Sequence, residues 1–61
     1  MSKTQNDIYL EGKVEDFDYM IARGNWAGAK QIAQEMNEKG FTVASQRLEI
    51  ELANKKLHTY D

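Results

Sequence analysis

Gly24-Asn25-Trp26-Ala27-Gly28-Ala29-Lys30-Gln31-Ile32-Ala33-Gln34-Glu35-Met36-Asn37-Glu38-Lys39-Gly40-Phe41 carries its own start and stop signals. Asn25 is a favourable N-cap, because its side-chain oxygen accepts from the open N–H groups of a helix's first turn. Trp26, Ala29, Ile32, Ala33 and Met36 recur at spacings of three, four and seven, which is one face of a helix. Lys30, Gln31, Gln34, Glu35, Asn37 and Glu38 fall on the other face. Lys39 complements the negative end of the helix dipole. Gly40 suits the left-handed conformation that closes a helix. The stretch therefore predicts a helix over about 25–39.

On the N-terminal side, Val14, Phe17 and Met20/Ile21 repeat at three and four and predict a first helix over about 14–23. Glu15 and Asp16 lie in its first turn and Arg23 in its last, as the helix dipole favours. Gly24 stops this helix directly before Asn25 caps the next, so the two form a helical hairpin. Thr42 can cap a third helix over about 43–57. The expected fold is all-α. It is a small three-helix unit built on a hairpin, with an N-terminal arm over 1–12 and a helical domain over 13–61. Ile8-Tyr9-Leu10 admits three readings: an arm laid on the core, a short strand, or the first turn of a longer helix. Gly12-Lys13 breaks the apolar pattern and favours the arm.

The third helix has two apolar stripes. At roughly 100° per residue from Val43, the residues Ala44, Leu48 and Leu52 fall at roughly 100–180°. Val43, Ile50, Ala53 and Leu57 fall at roughly 280–360°. A terminal helix of a monomer needs one stripe. The second is covered either by the N-terminal arm or by another subunit. A chain of 61 residues is marginal alone, which favours the subunit. Val43, Ile50 and Leu57 are thus expected at an interface, with Tyr9 and Tyr60 as amphipathic aromatics suited to it.

Gly24, Ala29, Met36 and Gly40 follow one spacing: a helix-ending Gly, Ala five residues on, Met seven further and Gly four further. Phe17 and Met20 fit the apolar positions of the preceding helix. Over residues 17–41 the chain resembles a single tetratricopeptide/pentatricopeptide repeat. The resemblance implies small residues where two helices cross closely. Such repeats come in tandem, because one unit cannot bury its own face. Residues 42–57 do not repeat the spacing. Pentatricopeptide arrays read one RNA base per repeat, which a single acidic unit does not do, so nucleic acid is not an expected partner.

Composition narrows the function classes. Cysteine is absent, which excludes disulfides and zinc fingers and suits the cytoplasm. The net charge of −2 does not advertise a nucleic-acid binder. No apolar run is long enough to span a membrane, and the first seven residues lack a signal-peptide core. His58 is the sole histidine, with no second His or Cys to complete a metal site. Up to Met20 there are five acids against two lysines, including Glu11, Glu15, Asp16 and Asp18. They read as a solvated face able to steer a basic partner. No nucleophile–base set, metal cluster or phosphate loop is present, so no enzyme activity and no cofactor are expected.

The expected function is that of a small non-enzymatic interaction protein, a homodimer that regulates or inhibits a larger protein partner. The alternative is an oligomer that sequesters a small anionic ligand, such as a nucleotide, at the subunit interface. Arg23 would pair with its phosphate, Asn25 would open the helix N-terminus to it, and Trp26 or Tyr19 would stack on its base. Trp26 also has a plain use, closing the hairpin against Phe17 and Ile21.

Overall fold

A computed structural model describes residues 3–59 of the chain. It contains α1 (Gln5–Ala22), α2 (Trp26–Glu38) and α3 (Thr42–Thr59). Two turns of the same design separate them. In the first, Asn25 N–H donates to the Met20 carbonyl at 2.8 Å and Gly24 N–H to that of Ile21 at 3.0 Å. In the second, Phe41 N–H donates to Met36 at 2.9 Å and Gly40 N–H to Asn37 at 3.0 Å. Each pair satisfies carbonyls that a helix end leaves open. Both turns pivot on a left-handed glycine, with φ of 74° at Gly24 and 97° at Gly40. The all-α, three-helix fold is as the sequence predicts.

The arm is not. Residues 5–13 form the first half of α1, which begins at Gln5 rather than near 14. A reciprocal cap starts it: Asp7 N–H donates to Thr4 Oγ1 at 3.1 Å, and Thr4 N–H donates to Asp7 Oδ2 at 3.3 Å. Gly12 lies mid-helix at a cost of about 1 kcal/mol relative to alanine. Tyr9 and Leu10 pack against the core, and burying side chains of this size contributes roughly 1.5–3 kcal/mol each at full burial. That exceeds the glycine penalty. Lys13 Nζ also reaches Glu35 Oε2 at 2.9 Å, tying α1 to α2.

The core forms along α2. Ala29, Ala33 and Met36 are fully buried, against Phe17 of α1 and Leu48 and Leu52 of α3. The two alanines let neighbouring backbones approach. Ser45, buried to 2% exposure, donates from Oγ to the Ala33 carbonyl at 2.7 Å. This bond satisfies a hydroxyl buried where α2 and α3 cross. Trp26 packs partly buried at the core's edge.

α2 holds both neighbours, while α1 and α3 meet each other little. The body is accordingly elongated, 42 × 20 × 16 Å, with a radius of gyration of 12.1 Å. A spherical domain of this length would have about 10.5 Å. None of the described helices is long and apolar enough to cross a membrane.

Candidate interaction surface

Because α1 and α3 dock on α2 without closing on each other, a groove opens between them. Its volume is about 590 Å³. Leu10 and Val14 of α1 form one wall, and Val43, Ala44, Arg47 and Leu48 of α3 the other, with Gly40, Phe41 and Thr42 as the floor at one end. Among the described residues, Arg47 is the one charged side chain of the lining and Thr42 the other polar one; the rest is apolar. Tyr9 braces this end from within the chain. Its ring stacks on Phe41, and the amines of Lys13 and Lys39 lie 5.6 and 5.9 Å from the ring centre. Tyr9 is therefore engaged inside the chain rather than held out to a partner. Its hydroxyl oxygen is buried and has no hydrogen-bond partner among the described residues.

Val43 joins the groove to a second apolar surface. Val43, Ile50 and Leu57 are 66%, 64% and 69% exposed along the outer face of α3. The described part of the N-terminal segment does not cover this stripe. It is helical, with Tyr9 and Leu10 turned to the core, and Val43, Ile50 and Leu57 stay open in the chain. Tyr60 and the side chain of His58 lie outside the described residues.

The four residues of the anionic-ligand reading are engaged as follows. Arg23 Nη1 donates to Tyr19 Oη at 2.7 Å, and its guanidinium lies 5.3 Å from the Tyr19 ring centre. These two groups are brought together on the last turn of α1 and form one exposed pair. Asn25 Oδ1 accepts from Gly28 N–H at 3.0 Å, so one of the open donors at the start of α2 is satisfied by its own cap. Asn25 Nδ2 in turn donates to Met20 Sδ at 3.3 Å. Trp26 points to a shallow groove between α2 and α3 that it shares with Ala27, Lys30, Glu49, Leu52, Ala53 and Lys56.

The groove walls Leu10 and Val14 are not evident as a surface from the sequence, where Leu10 reads as part of an arm and Val14 as a helix start. The signal was present in the Thr4-x-x-Asp7 spacing, which extends α1 back and sets both residues on one flank. Comparison with known proteins finds no match to this chain among protein families, curated proteins or solved structures.

Proposed function

We propose that this chain is a small non-enzymatic interaction protein of the cytoplasm, a homodimer that acts by occupying a surface of a larger protein. The observation that carries the reading is a pair of apolar features that share Val43: the groove walled by Leu10 and Val14, and the exposed row Val43, Ile50 and Leu57 at seven-residue spacing on α3. Large aliphatic side chains left open in such a row are the kind of surface that marks an association site. The two parts of the surface suit two uses. The flat stripe on α3 suits a second copy. The groove suits the apolar face of a helical segment, laid between α1 and α3. The acids of α1 favour basic flanks on that segment, since Lys13 is the only base among residues 5–22 and is already paired with Glu35. The tetratricopeptide-like character of residues 17–41 belongs to the same proposal. Gly24 and Gly40 at the turns, and Ala29 and Met36 in the core, occupy roles that such a hairpin needs.

Native mass spectrometry of the protein purified from its natural host tests this reading. The expected spectrum contains the homodimer and, beside it, the dimer bound to a further polypeptide. A dimer retaining only a small anionic molecule would replace this reading with ligand sequestration. A bare monomer would overturn both.

A further inference from the structure

We propose that the second copy docks on α3 in an antiparallel register, with Ile50 facing Ala53 of the other copy and Glu49 paired with its Lys56. This deepens the homodimer reading above and rests on it. Along the outer face of α3, Val43, Gln46, Ile50, Ala53 and Leu57 are spaced three, four, three and four residues apart. That alternation is the seam of a two-helix coil. Val43, Ile50 and Leu57 on the seam are open to solvent. Glu49 and Lys56 each precede a large apolar seam residue and so lie on the same edge of the seam. Both are exposed, and neither forms an ion pair among the described residues. Arg47 and Asn54 lie on the opposite edge.

The two possible orientations treat these edges differently. In a parallel pair, Glu49 faces Asn54 of the other copy, so the contact between Glu49 and Lys56 does not form. Large residues then meet large ones at Ile50, and Ala53 meets Ala53, leaving a gap. In an antiparallel pair with its two-fold axis crossing between Glu51 and Leu52, like edges meet. Glu49 then faces Lys56 of the other copy, and symmetry makes this contact twice. At the centre each Ile50 fills the space beside an Ala53, the alternation of large and small that packs without voids. Among the described residues, charge and size both select the antiparallel arrangement.

Charge reversal tests the register, with sedimentation equilibrium as the readout and circular dichroism to verify the fold. Glu49→Lys and Lys56→Glu should each raise the dimer dissociation constant by about tenfold, because each turns two attractive pairs into repulsive ones. The double variant should return it to the wild-type value. A nitroxide on Thr42→Cys, in a chain without other cysteines, should report a separation of about 30 Å between labels in the dimer. A parallel pair would give about 10 Å. A dimer with the short distance, or one in which the double variant is not restored, overturns the register while leaving the homodimer standing. A wild-type chain that stays monomeric overturns the homodimer and the register together.

Discussion

The ring of Tyr9 stacks on that of Phe41, with centroids 5.3 Å apart and planes inclined by 23°. This contact fastens the N-terminal half of α1 to the turn between α2 and α3, and so shapes the closed end of the groove. Tyr9→Ala should cost about 2–3 kcal/mol in chemical denaturation, by loss of packing. Tyr9→Phe should do the opposite. It keeps the stack and removes a hydroxyl that is buried without a partner among the described residues, so stability should rise by about 1 kcal/mol. A loss of stability in Tyr9→Phe would mean that the hydroxyl is satisfied.

Gly12 offers a second check on α1. An added Cβ there meets nothing within 4 Å, and its φ is not in the left-handed region. Gly12→Ala should therefore stabilise by about 0.5–1 kcal/mol, which for a domain of this size raises the melting temperature by several degrees, at about 4–8 °C per kcal/mol. A lower melting temperature would indicate a helix interrupted at this point.

Gly40 carries the opposite expectation. With φ at 97°, a β-branched side chain is strained whatever the free space around it. Gly40→Val should destabilise by more than about 1 kcal/mol in thermal or denaturant unfolding. An unchanged midpoint would contradict the left-handed turn between α2 and α3.

The link between Lys13 and Glu35 should show in alkaline solution. The hydrogen bond to Glu35 is the main influence raising the Lys13 pKa above the ordinary lysine value, and the Glu35 charge adds to it, while desolvation opposes. A raised pKa in the folded state means the contribution is fully present below the ordinary lysine value. It is lost as pH rises through the higher, folded value. Glu35→Gln should reduce stability at pH 7. The gap between variant and wild type should then narrow above about pH 10.5. A gap constant across that range would show that the two side chains do not interact in solution.

The elements differ in how readily they can be read from the chain. α2 is legible because Asn25 and Gly40 punctuate both ends and its apolar face is continuous. α3 is legible too, and even its surplus stripe follows from counting residues. The start of α1 is not, because Gly12 imitates a break and the cap uses Asp7 where Glu is the usual partner. Ser45 carries no signal for burial. It is inside because its hydroxyl reaches the carbonyl of Ala33, a contact that exists only once α2 and α3 have crossed. The groove is hidden for the same reason. It depends on the angles at which α1 and α3 lie on α2, and no local pattern encodes those angles.

Sedimentation equilibrium of the wild type beside Ile50→Glu tests whether the exposed face of α3 is an association surface. Ile50 lies at the middle of that face with 64% of its surface open in the protomer. Closing even part of such a side chain against another copy is worth up to roughly 1.5–3 kcal/mol per residue at full burial. The wild type should sediment as a dimer at micromolar concentration. Ile50→Glu should sediment as a monomer, or unfold if the protomer needs its partner to remain folded. A wild-type chain that stays folded and monomeric across the whole concentration range would contradict the proposed association.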